Sequence, residues 1–215
     1  MLLLISGSAF ADVVTLTTPT AGDATYSWNS KYGPYGYGVG GTEMGVGLSM
    51  GGSYGNDYTV SIFEIPIAAL MGQTVTGATL RVNSLGFGTG YYYGSASIGW
   101  LDTGTMTLTG DVVADGLGPA STGRPGGLAL WNSDWGTNSA GLQTFDVLSY
   151  VLADLAAGRS YSTFVMSGSR DTWGSIYTAE SGSGPQIVAT TVPEPATMGL
   201  LGLGLATLAM RRRKK

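Results

Sequence analysis

Apolar and polar residues alternate with period two through much of this chain. In "TVTGATLRV" Ala78, Leu80 and Val82 take one face, and Gly77, Thr79 and Arg81 the other. That is the mark of a strand with one face buried. Comparable runs predict strands over Val13–Thr17, Thr59–Ile65, Thr74–Val82, Ser95–Leu101, Thr105–Leu108, Gly141–Phe145, Tyr161–Met166, Ser175–Thr178 and Gln186–Thr190. Glycine-rich turns separate them. Short strands punctuated in this way predict an all-β fold, a β-sandwich or jelly roll. One stretch changes period. Leu148, Val151, Leu152 and Leu155 fall at i, i+3, i+4 and i+7, the apolar face of a helix. Asp146 is placed to cap its start and Gly158 to close its end. One short helix crossing the sandwich is expected. The glycine- and tyrosine-rich stretch from Lys31 to Asn56 reads as a surface loop with short strands around Met44–Met50.

Both ends depart from this alternation. "MLLLISGSAFADVV" opens with the apolar run Leu2–Ile5, and Ala9 and Ala11 make a small-x-small cleavage pattern before Asp12. Residues 1–11 therefore read as the remnant of a secretory signal peptide. The run is short and no basic residue precedes it, so the signal is expected to start upstream of Met1. At the other end, Ala196–Met210 is uncharged, and Arg211, Arg212, Arg213, Lys214 and Lys215 follow it. As a single hydrophobic helix this run extends about 22 Å, against a hydrocarbon core of about 30 Å. Bilayer thinning and snorkelling arginines close that gap. The basic cluster is expected to stay cytoplasmic, leaving the body outside. Just before the run, Pro193-Glu194-Pro195 excludes helix and holds the chain extended, as a protease requires of its substrate.

This order of extended motif, oily helix and basic stop resembles the PEP-CTERM sorting signal of Gram-negative bacteria. The resemblance covers Pro193–Lys215. It implies that exosortase, an integral-membrane enzyme resembling cysteine proteases, recognises and processes the tail. The cytoplasmic membrane then holds an anchored intermediate, and the product reaches the cell surface or the medium. A GPI signal follows similar logic, its tail being removed. The expected organisation is a signal remnant at 1–11, one β domain at 12–191 and a sorting signal at 192–215.

Composition limits what the body can do. The 215 residues include no Cys and no His. Disulfides, thiol nucleophiles, thiolate or imidazole metal sites and Ser-His-Asp triads are thereby removed. From Asp12 to Val192, five basic residues stand against thirteen acidic ones, a net charge of −8. Such a body repels nucleic acid, so no nucleic-acid partner is expected.

Three stretches of the body resemble DNRLRE-type domains: "SIFEIPIAALMGQTVTGATLRV", "TFDVLSYVLADLAAGRSYSTFVM" and "YTAESGSGPQIVAT". In the last, Ala179-Glu180 stands where Arg-Glu is common in that family. The resemblance implies a carbohydrate-binding-module-like jelly roll of secreted bacterial proteins.

Candidate chemistry is sparse. Trp131 and Trp135 in "WNSDW", and Tyr91, Tyr92 and Tyr93, are candidates for stacking on sugar rings; packing at the edge of the core is the other reading. Asp102, Asp111, Asp115, Asp134, Asp146 and Asp171 supply carboxylates for a glycosidase pair. Most, however, sit beside Gly, Ser or Thr, where Asp caps turns, and no enzyme is expected. No organic cofactor is expected either. A structural calcium ion needs only oxygen ligands, and Asp23, Asp57 and Glu180 are its candidates, without an Asp-x-Asp-x-Asp loop. The leading expectation is a non-catalytic, exosortase-sorted surface or matrix protein associated with exopolysaccharide. A carbohydrate-binding module and a glycan hydrolase follow it.

Overall fold

The computed structural model describes residues 11–29, 33–38, 41–50, 56–89, 96–117, 133–135, 140–168 and 172–192. Within them lie β1 (Asp12–Thr17), β2 (Asp23–Asn29), β3 (Gly33–Gly38), β4 (Glu43–Met50), β5 (Asn56–Pro66), β6 (Thr74–Thr89), β7 (Ala96–Leu101), β8 (Ser133–Trp135), β9 (Gly141–Asp146), β10 (Tyr161–Gly168), β11 (Thr172–Tyr177) and β12 (Gln186–Val192). One α-helix, α1 (Leu148–Ala156), joins β9 to β10.

All twelve strands belong to one hydrogen-bonded sheet, ordered β1-β12-β6-β11-β4-β5-β10-β7-β8, with β2 beside β5, β3 on the far side of β2, and β9 beside β6. Two strands outlast their neighbours. β6 pairs with β12 through Thr74–Arg81, then with β11 through Ser84–Thr89, while Thr79–Ser84 holds β9. β5 pairs with β4 through Asn56–Thr59, then with β10 through Val60–Pro66, while β2 runs beside Asp57–Phe63. Because each long strand hands one edge from one partner to the next, the sheet curls on itself into a half-barrel. The expected β class and single short helix agree with this. The expected two-sheet sandwich differs from it, since the pairing is continuous. Residues 105–108 are not a strand but part of an irregular strap, 102–117, built from turns. The hydrophobic helix expected over Ala196–Met210 lies outside the described residues.

The concave face carries the main core, with Phe63, Ile65, Leu80, Ile98, Phe164, Met166, Ile176 and Ile187 fully buried. Phe63 and Phe164 are direct cross-strand partners and stack at 5.7 Å. Ala78, Leu80 and Val82 point inward, as their alternation predicts. A second cluster covers the other face of β2, β5 and β10. Ala24, Tyr26, Val60, Ile62 and Val165 pack there beneath Leu108, Val112 and Leu117 of the strap. β5 is thus buried on both faces over Val60–Ile65, where Ser61 and Glu64 are the polar residues in an otherwise apolar run.

Local chemistry fixes the helix ends. Asp146 Oδ1 accepts the Leu148 amide at 3.0 Å. Gly158 has φ +72, and its amide and that of Arg159 bond back to Leu155 and Asp154, a Schellman closure. The helical period assigns Leu152 to the buried stripe, but it is 42% exposed. Asp154 is buried instead, because side chains around it satisfy its charge.

Candidate functional sites

The most polar cluster centres on Asp154, only 1% exposed. Its Oδ2 accepts from Trp100 Nε1 at 2.9 Å and from Ser162 Oγ at 2.6 Å. Its Oδ1 accepts from Arg159 Nη1 at 2.7 Å. Arg159 also pairs with Asp102 and donates through Nη2 to the Gly104 carbonyl at 3.0 Å. Its guanidinium lies 6.0 Å from the Trp100 ring, which packs on Tyr150 at 5.3 Å. Burial raises the Asp154 pKa, and its three donors oppose that rise. For Arg159, burial works against the charge, but Asp154 and Asp102 outweigh it and raise the pKa. The Gly104 amide first, and Arg159 second, lower that of Asp102. With its carboxylate occupied by donors, Asp154 fastens α1 and the 102–104 turn to the sheet.

Of the expected calcium candidates, the fold gathers two. Asp23 is buried at the start of β2, and its Oδ2 accepts the Ala179 amide at 2.9 Å. Glu180 adjoins it, with Oε2 buried and without a hydrogen-bond partner. Burial pushes the Asp23 pKa up to about 6; the Ala179 amide opposes this and the Glu180 charge adds to it. Only glycine fits at position 184, where a Cβ would lie 2.6 Å from the Thr178 carbonyl carbon and the Ala179 nitrogen. Asp57 stands apart. Asp23 is registered with Phe63 and Asn29 with Asp57, which separates the two acids by about 20 Å along the ladder. Among the described residues no three acidic side chains gather to hold a metal on their own.

A different acid, unforeseen in the sequence reading, is the most isolated. Glu64 is fully buried in β5, and neither carboxyl oxygen has a hydrogen bond. The Gly110 amide and the Asp115 carboxylate lie close to it without hydrogen-bond geometry. Burial first, then Asp115 and Asp111, push its pKa up to about 8. Asp115 receives the Thr109 amide at 2.7 Å and the Thr109 hydroxyl at 2.8 Å, and Asp111 Oδ1 caps the Val113 and Ala114 amides. The available signal was one acid inside the apolar run "VSIFEIPI".

The aromatic candidates fall largely outside the described residues. Trp131, Tyr91, Tyr92 and Tyr93 do so entirely, and Trp135 is placed only as the β8 residue opposite Ala96. Among the proposed catalytic acids, Asp102, Asp111, Asp115 and Asp146 serve as turn caps or ion-pair partners. Asp134 is placed in β8 opposite Ser97, and Asp171 lies outside the described residues. The sequence reading missed Trp173 in β11, which is 56% exposed. Its cross-strand partners are Gly47 and Gly88. No side chain stands directly beside the indole on either neighbouring strand.

The tail leaves the described residues at Val192, the last residue of β12. Pro193, Glu194, Pro195 and the basic cluster from Arg211 to Lys215 lie beyond it, and Ala9 lies before the first described residue, Ala11. Among the described residues no helix is long and apolar enough to cross a membrane. No curated protein matches the chain. Residues 191–214 match the PEP-CTERM protein-sorting motif. The match stops at the end of β12 and does not reach the DNRLRE-like stretches. It marks an exported protein, anchored in the membrane before processing and recognised there by exosortase.

Proposed function

We propose that this protein is a non-catalytic component of the cell surface or extracellular matrix, cut near Pro195 and released without Ala196–Lys215. The observation that carries this reading is the sorting motif, matched over residues 191–214 and continuous with β12. A permanent anchor requires only an apolar run and a basic stop. The added Pro-Glu-Pro is what a protease needs, an extended strand that cannot become helix. The non-catalytic role is supported by Asp102, Asp111, Asp115 and Asp146, which serve as turn caps or ion-pair partners. Intact-mass spectrometry of the protein from an exosortase-bearing host tests the reading. The mature mass should lack the five terminal basic residues. Replacing Pro193, Glu194 and Pro195 together with Ala should leave the chain inserted and uncut. A wild-type mass that retains the basic cluster would establish a plain membrane anchor instead.

A second reading, favoured by Trp173, is carbohydrate binding. An indole with a glycine on each side offers an open apolar ring to the face of a sugar. Exopolysaccharide is the corresponding partner, and this contact would give the released protein its place in a matrix.

A further inference from the structure

The orphaned acid of β5 has a set of neighbours that explains it. Glu64 is 0% exposed. Thr163, its direct cross-strand partner in β10, is 1% exposed, and its hydroxyl also lacks a hydrogen bond. Over this pair lies the strap, which brings Asp115 close to Glu64 and Asp111 beyond it. Every charged group acting on Glu64 is therefore acidic. Among the described residues the ion pairs are those of Arg159 with Asp102 and Asp154, at a separate cluster. A fully buried carboxyl group without a partner is costly. Two unsatisfied oxygen-bearing side chains on paired positions of one sheet face, with the Asp115 carboxylate close to one of them, mark a missing partner.

We propose that Glu64, Asp115 and Thr163 bind a divalent cation of the calcium class. Two carboxylates neutralise a dication. The donors are all oxygen, which suits a hard ion. Calcium takes six to eight oxygens in flexible geometry, so strap carbonyls and water can complete the shell; magnesium demands a stricter octahedron. The chain's lack of His and Cys leaves no imidazole or thiolate to compete as a ligand. The ion joins the strap to β5 and β10, and so clamps Leu108, Val112 and Leu117 over the second apolar cluster. Glycine at 110 makes the approach feasible, since a Cβ there would lie 2.7 Å from Tyr161 Oη. The site stands on this geometry and is independent of the tail's processing.

The test is thermal unfolding of the full-length protein in detergent, after chelator treatment and buffer exchange. Calcium chloride at roughly 0.1–1 mM, the range of extracellular calcium modules, should raise Tm saturably, as a ligand of the native state does. Sodium chloride of equal ionic strength should not. Glu64→Gln and Asp115→Asn should abolish the calcium shift, and Asp23→Asn should keep it. No shift in the wild type up to about 10 mM calcium, an equal response to magnesium, or a shift that persists in Glu64→Gln would overturn the proposal. Terbium luminescence reads occupancy apart from stability. Emission should fall in Asp115→Asn, and equal emission from that variant and the wild type would also overturn it.

Discussion

Single side chains carry the clearest consequences of burial. Asp23 keeps its proton more tightly in the folded chain than in the unfolded one, with its pKa rising from 3.8 to about 6. Its contribution to stability is therefore complete below about pH 4 and is lost as the pH rises through 6. By pH 8 the ionised group costs about 3 kcal/mol relative to acid conditions. Asp23→Asn keeps an oxygen to accept the Ala179 amide and removes the charge beside Glu180. The variant should match the wild type more nearly at pH 4 and exceed it at pH 8. Urea midpoints at the two pH values check this, and a gap that does not widen with pH would show that Asp23 is not the titrating group. The sequence offered Asp23 and Glu180 as candidates for one site, but not the burial that shifts Asp23, since the two stand 157 positions apart. The Asp154 cluster was hidden similarly. Its residue interrupts the apolar face of a helix, and only the fold brings Trp100, Ser162 and Arg159 to it.

At the scale of elements, alternation was a good guide wherever one face meets water. β1, β7, β9, β10 and β12 lie close to their expected ranges, and β6 starts where expected but runs on to Thr89, because period two records a face directly. Alternation failed where glycine dilutes the signal. β3 runs as Gly-Pro-Tyr-Gly-Tyr-Gly, where the pattern is almost mute; β2 holds no glycine and alternates Ala24, Tyr26 and Trp28, yet it was not among the expected strands. Alternation also failed in the strap, whose apolar residues cover a sheet without joining it. Gly110 controls that cover. Its φ is +83, a conformation side chains rarely adopt, and Tyr161 fills the space a Cβ would need. Gly110→Ala should cost about 1–3 kcal/mol from backbone strain alone. Limited proteolysis should then cut within 102–117, while far-ultraviolet dichroism keeps its β signature. An unchanged digestion pattern would mean that the strap is held elsewhere.

For the molecule as a whole, the sorting signal was legible because it is linear: motif, apolar run and basic stop lie in one continuous stretch. The open setting of Trp173 was not, because it depends on Gly47 and Gly88, far away in sequence. Affinity electrophoresis through gels containing neutral or acidic polysaccharide tests that surface. Trp173→Ala should lose the retardation while changing stability by about 0.5 kcal/mol or less, as surface substitutions do. Retardation that survives the substitution would move the contact away from β11. The junction of body and tail has a mechanical meaning as well. β12 sits between β1 and β6, with six registered pairs on one side and seven on the other. While the protein is tethered, a tug on the tail runs lengthwise into that interior strand. Both rows of hydrogen bonds share the load in shear, so the domain hangs from one of its firmest threads.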